Sequence, residues 1–73
     1  MYKVDFAQMV KEIRNKLNMS QEKLARELQV SFATVNRWEN SKNSPNMLAK
    51  KALYDFSKKK GIEEELIKHL LDY

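Results

Sequence analysis

Cysteine is absent, and glycine, proline and histidine occur once each in the 73 residues. Without thiols there is no disulfide framework and no thiolate metal site, which fits a reducing cytoplasm. A single histidine, His69, leaves no partner for a nucleophile–base pair or a metal-ligand set. A packed or solvated side chain is its plainer reading. No glycine-rich phosphate loop is present. No apolar run approaches the roughly 18 residues needed to span a bilayer. Met1-Tyr2-Lys3-Val4-Asp5 lacks the apolar stretch and small-residue cleavage site of a secretory signal. A chain of this length makes one small domain, residues 1–73, burying about 60% of its unfolded surface. Such a domain has no room for a deep catalytic cleft beside its core, so the expectation is a binding protein, not an enzyme, with no cofactor and no metal. The starting Met fits an N-terminal piece or a complete small protein.

What is present reads as helix. Hydrophobic residues make up 42% of the chain, and strand-type runs of β-branched residues are few. Charge is unevenly placed. Residues 1–40 carry seven basic and five acidic side chains, residues 41–61 six Lys and one Asp, and residues 62–73 one Lys and four acids. A localised basic excess suits a polyanion such as nucleic acid or an anionic membrane surface. Solvated helix faces are the bland alternative. Glu63-Glu64-Glu65 sits where acids favour a first helical turn.

Asp5 is placed to cap a first helix in which Phe6, Val10, Ile13 and Leu17 recur on one face, with Met9 beside it. Asn18-Met19 breaks that run. Ser20 caps a short second helix with Leu24, Ala25 and Leu28 inward. After Gln29-Val30-Ser31, Ser31 caps a third helix from Phe32 to about Asn40, with Val35, Trp38 and Glu39 inward. Ser41 to Pro45 reads as a polar loop. Asn46 caps a fourth helix expected to bury Leu48, Ala52, Leu53 and Phe56, and Gly61 stops it. A fifth helix, 62–73, places Leu66, Ile67, Leu70 and Leu71 on an apolar stripe. The fold class is all-α: a compact five-helix domain with two short helices, about 20–40, at its centre. A three-residue connection forces those two to cross steeply, so the second stands clear, shaped to enter a DNA major groove about 12 Å wide.

Ser20-Gln21, Leu24-Ala25, Val30-Ser31, Thr34-Val35 and Arg37-Trp38-Glu39-Asn40, followed by Lys42 and Pro45, together resemble the helix-turn-helix family of phage repressors and Cro proteins. Residues 5–61 look like the four helices around that motif. The resemblance implies sequence-specific binding to double-stranded DNA, in a repressor-type transcriptional regulator of a prokaryotic cytoplasm or nucleoid. It implies that Gln21 bonds a phosphate. It also implies an Arg14–Glu39 pair between the first and third helices. A partly buried bridge there would orient the recognition helix.

The residues themselves supply base-reading candidates on the exposed side of the third helix: Phe32, Ala33, Asn36 and Arg37. Asn36 suits adenine and Arg37 suits guanine or a phosphate. Phe32 and Ala33 suit thymine methyl groups, with partial core packing as the alternative for Phe32. Ser20, Gln21, Ser31, Thr34, Asn40, Lys42 and Asn43 are the phosphate-contacting candidates. Lys50 and Lys51 are as readily a solvated face. Two positions depart from the family. Gln29 and Ser41 stand where Gly is common, so a positive φ is expected at Gln29. Partners implied are a (pseudo)palindromic operator and a weak homodimer strengthened by DNA, with no membrane and no small-molecule substrate. Ile62, Leu66, Leu70 and Tyr73 either cover the core, the favoured reading, or form the dimer seam. Rival readings are an adaptor or antitoxin-type interaction module on the same fold, and the DNA-binding domain of a longer chain.

Overall fold

The computed structural model describes residues 6–40 and 46–71. Among these, five α-helices follow in order: α1 (Phe6–Lys16), α2 (Gln21–Leu28), α3 (Phe32–Asn40), α4 (Met47–Lys59) and α5 (Glu64–Ile67). A single 3₁₀ turn, Lys68–Leu71, continues α5. No strand occurs among the described residues, and no helix there is long and apolar enough to cross a membrane. The expected cap at Asp5, the loop from Ser41 to Pro45 and the residue Tyr73 lie outside the described residues.

Three of the chain reversals use one device. After α1, the Met19 N–H donates to the Arg14 carbonyl (2.9 Å) and the Asn18 N–H to Asn15 (3.2 Å). After α2, Val30 donates to Ala25 (2.9 Å) and Gln29 to Arg26 (3.2 Å). After α4, Ile62 donates to Ser57 (3.0 Å) and Gly61 to Lys58 (3.1 Å). Each pair satisfies carbonyls that a helix end would leave open, and each needs a left-handed residue at the corner. Asn18, Gln29 and Gly61 take that role with φ of 54°, 60° and 88°. The residue after each corner is apolar, and Met19, Val30 and Ile62 all fold back onto the core. The positive φ expected at Gln29 is thus observed, and Asn18 adds a second non-glycine residue with positive φ.

Gln29 carries a Cβ in a conformation that costs L-residues about 1–2 kcal/mol. Gln29→Gly removes that strain and adds chain entropy to the unfolded state, which offsets part of it. The net expectation is a gain of up to about 1 kcal/mol. Denaturant melts of the two proteins check it; a clear loss of stability would show that the Gln29 side chain contributes more than its backbone costs.

The helix starts agree with the sequence. Ser20 Oγ accepts from the Lys23 N–H (3.0 Å), Ser31 Oγ from Thr34 (3.1 Å) and Asn46 Oδ1 from Ala49 (2.9 Å). The core gathers Phe6, Met9, Val10 and Ile13 of α1, Leu24 and Ala25 of α2, and Val35 of α3 against Leu53 and Phe56 of α4. Ile62, Ile67 and Leu70 close it from the C-terminal side. Trp38 is half-buried, and its ring and that of Phe6 form a T-shaped pair, 5.6 Å between centroids and 84° between planes.

Two expectations for the C-terminal half need correction. The inward face of α4 is Lys50, Leu53, Phe56 and Ser57. Leu48 is 78% exposed, and Ala52 is exposed as well. At about 100° per residue, Leu48 lies about 140° around the helix from Leu53, so the two cannot share a buried stripe. Lys50, expected on a solvated or DNA-facing side, takes an inward position instead. The second correction concerns the fifth helix. Ile62 precedes it, since Glu63 is still extended (φ −60°, ψ 136°), and the α-helical turn gives way to 3₁₀ geometry at Lys68. Ile62 and Leu70 are nonetheless in the core, and Leu66 packs partly against it, as the favoured reading had it. Tyr54 of α4 donates to Glu64 Oε2, and Lys58 lies 3.7 Å from the other oxygen of that carboxylate, so α4 and α5 are tied at the surface too.

Candidate nucleic-acid interface

α3 rests on both α1 and α2 and leaves one side to solvent. Val35 is fully buried and Glu39 nearly so, which fixes how α3 is rotated. The opposite side then presents Phe32, Ala33 and Arg37 exposed, with Asn36 half-buried and Asn40 exposed at the C-terminal end. Phe32 is 52% exposed, so partial core packing does not account for it. Arg37 is exposed and makes no hydrogen bond or ion pair among the described residues.

The buried side of α3 holds an ion pair. Arg14 of α1 donates through Nε to Glu39 Oε2 (2.6 Å) and through Nη2 to Oε1 (3.0 Å). Its Nη1 donates to the Met19 carbonyl at 2.9 Å, joining the corner after α1 to the same group. This forked geometry matches a planar guanidinium to a carboxylate and is stronger than a single contact. The expected Arg14–Glu39 pair is therefore present.

Burial by itself would raise the Glu39 carboxyl. Donation from Arg14 and then from Gln21 outweighs it, helped by the positive charges of Arg14 and Lys11, and the carboxyl sits below its ordinary value. The same bond from Glu39 holds Arg14 above its usual value against the opposing effect of burial. A carboxylate depressed in the folded state stabilises fully above its unfolded pKa, about 4.3 for Glu. That contribution fades as pH falls from there through the lowered folded value. Wild type and Glu39→Gln should accordingly differ most in melting temperature near neutrality and converge on acidification. A gap that stays constant from pH about 6 to about 2 would contradict the depressed carboxylate.

Sequence reasoning did not reach what joins this pair to the exposed face. Gln21, the first residue of α2, donates through Nε2 to Glu39 Oε1 at 2.9 Å. Its Oε1 accepts from Asn36 Nδ2 at 3.0 Å. Asn40 Nδ2 then donates to both Asn36 Oδ1 (3.0 Å) and the Asn36 carbonyl (2.8 Å). Gln21 and Asn36 are 15 residues apart, and only the angle between α2 and α3 brings them together. Elsewhere on the candidate surface, Ser20 and Ser31 are exposed and serve as caps, and Ser31 shares a hydroxyl–hydroxyl bond with Thr34 (2.9 Å). Lys51 is exposed and pairs with Asp55 across one turn (3.5 Å). Lys42 and Asn43 lie outside the described residues. Among those described, no group of three or more His, Asp or Glu side chains is placed to hold a metal ion.

Comparison with known proteins agrees with this geometry. A family model described as helix-turn-helix matches residues 10–50, more than half of the chain. Among curated proteins, the chain is 34% identical over 53 residues to the HTH-type transcriptional activator BcrR of Enterococcus faecalis. The match covers 73% of this chain and 26% of that protein, so the chain aligns with about a quarter of its relative's length. No solved structure matches significantly.

Proposed function

The chain belongs to the helix-turn-helix family of the phage repressor and Cro type, and from that premise we propose that it binds double-stranded DNA sequence-specifically, with α3 in the major groove, as a transcriptional regulator. The observation that carries the reading is the two-sidedness of α3. One side is locked by Val35 and the Arg14–Glu39 pair, while the other offers Asn36 and Arg37 beside Phe32 and Ala33. The core of a docking face for another protein is more apolar and gathers several large anchors. Among the residues of α3, the large apolar group on that face is Phe32 alone, flanked by side chains whose chemistry suits adenine, guanine and thymine methyl groups.

Ser20, Gln21, Ser31, Thr34, Asn40, Lys42 and Asn43 set register on the phosphates in this reading, and Asn36 and Arg37 read bases. Gln21 keeps a second amide hydrogen for a phosphate at the N-terminus of α2, where free N–H groups and the helix dipole favour an anion. The regulator acts in the cytoplasm, as a repressor-type dimer assembled on two half-sites about 34 Å apart. The relative's printed role as an activator is that protein's own; in this chain we expect occupancy of an operator to be the primary act.

The electrostatic part is tested on any duplex. Affinity for random-sequence DNA, measured by fluorescence anisotropy over a salt series, should fall linearly on a log–log plot. A loss of at least tenfold is expected between roughly 50 and 200 mM salt, since each neutralised phosphate adds about 0.9 to the slope. A flat salt response would sink the DNA reading and favour the interaction module.

A further inference from the structure

The hydrogen bonds between α1 and the exposed end of α3 all point towards Glu39, from Arg14 on one side and through three amides on the other. Arg14 donates to Glu39, Gln21 donates to Glu39, Asn36 donates to Gln21, and Asn40 donates to Asn36. That order is imposed at its buried end. An ionised carboxylate only accepts and a guanidinium only donates. Glu39 is 5% exposed, so water does not compete freely for its oxygens. Gln21 must therefore turn its NH₂ towards Glu39, which leaves its oxygen towards Asn36. Asn36 must answer with its own NH₂, which leaves its oxygen towards Asn40. A free amide side chain flips between two arrangements of nearly equal energy that exchange donor for acceptor. Here one charge on the far side of α3 chooses the arrangement for three amides in succession.

We propose that Glu39 is a positioning residue for base reading: acting through Gln21, it fixes the amide of Asn36 in one flip and so sets the donor–acceptor order that Asn36 offers to DNA. This rests on the proposed DNA reading and adds to it a residue that does not itself touch DNA. An asparagine amide has two donor hydrogens and two acceptor lone pairs. Gln21 takes one hydrogen and Asn40 one lone pair. One donor and one acceptor are left. Adenine's N7 acceptor and N6 donor match that remainder, whereas guanine's N7 and O6 are both acceptors. In the relay Asn36 can meet only one of guanine's two acceptors, whereas an Asn36 released from it has both hydrogens and both flips available and can turn two donors to guanine. The relay therefore narrows the choice at one base pair.

The test uses two variants of the full chain. Glu39→Gln replaces an acceptor-only group by one that presents either end to Gln21. Gln21→Met removes the relay at its second member, leaves the Arg14–Glu39 pair in place and so guards against a mere failure to fold. In the free protein, the side-chain NH₂ signals of Gln21, Asn36 and Asn40 should be dispersed and slow to exchange by NMR. The Asn36 and Asn40 signals should move towards free-amide positions in both variants. On a duplex selected by wild type, preference for A·T over G·C at the pair read by Asn36 should fall by about tenfold in both variants. Discrimination at the other base pairs should hold. A loss of helix packing or of a phosphate contact lowers affinity for all sequences alike and does not move that ratio.

Unshifted Asn36 amide signals in both variants would overturn the relay. Freed amides with an unchanged base preference would overturn its role in specificity. Wild type with the expected amide signals but no selectivity on any duplex would overturn the DNA reading and, with it, the proposal, while leaving the hydrogen-bond order itself established.

Discussion

Glu39→Ala lowers stability by about 3 kcal/mol, the low end of what breaking a buried ion pair costs. The low end applies because the Arg14 side chain keeps 19% of its exposure and can recover part of its hydration. The variant strands three donors together: two from the guanidinium and one from Gln21 all lose their acceptor. It also removes buried side-chain atoms from the inward side of α3. A domain of this size has on the order of 4–11 kcal/mol in total, so the fraction lost is large. The melting temperature should drop by roughly 15 °C, given about 4–8 °C per kcal/mol for small domains. Binding to a selected duplex should weaken in parallel, because α3 is held against α1 by this pair. A melting temperature within a few degrees of wild type would show that the pair is balanced by its own desolvation and does not hold α3.

Arg37→Ala has the largest effect expected on recognition with no effect on the fold. Its side chain is exposed and makes no bond among the described residues, so stability should stay within about 0.5 kcal/mol of wild type. A guanidinium facing guanine O6 and N7 contributes about 1–3 kcal/mol of discrimination, so preference at one base pair should fall by about ten- to a hundredfold. The alternative role has a different signature. An Arg37 bound to phosphate would lower affinity for all sequences and reduce the salt slope by about one. Binding curves of wild type and variant on the selected duplex and on its single-base substitutions separate the two. Unaltered binding in every series would remove Arg37 from the interface.

The features legible in the sequence were those with local causes. Ser20, Ser31 and Asn46 announce helix starts because their side chains bond an N–H three residues on, within the same short segment. Gly61 marks a corner for an equally local reason, whereas the left-handed Gln29 is legible only because the family it resembles carries Gly there. The Arg14–Glu39 pair spans 25 residues and was visible only through the family resemblance. Misreadings came where apolar content was taken for inward direction. Leu48 belongs to a hydrophobic run, yet it falls on the wrong side of α4, while Lys50 and Ser57 take inward positions that composition would not assign them. The amide relay was not legible at all. Gln21 and Asn36 each have a plausible separate role at the surface, and nothing in their spacing says that they bond to each other. That contact depends on the crossing of α2 and α3, a tertiary quantity that the three-residue turn constrains without fixing.

Reading of base sequence in duplex DNA by α3 is tested most directly by selection. A pool of randomised double-stranded DNA is bound to the purified chain at about 150 mM salt through several rounds, and the winners are sequenced. A two-fold related site is expected, with half-sites about one helical turn apart, bound roughly a thousandfold or more tightly than random duplex. A pool that remains random while still binding would contradict base reading, leaving α3 a surface for something other than base sequence.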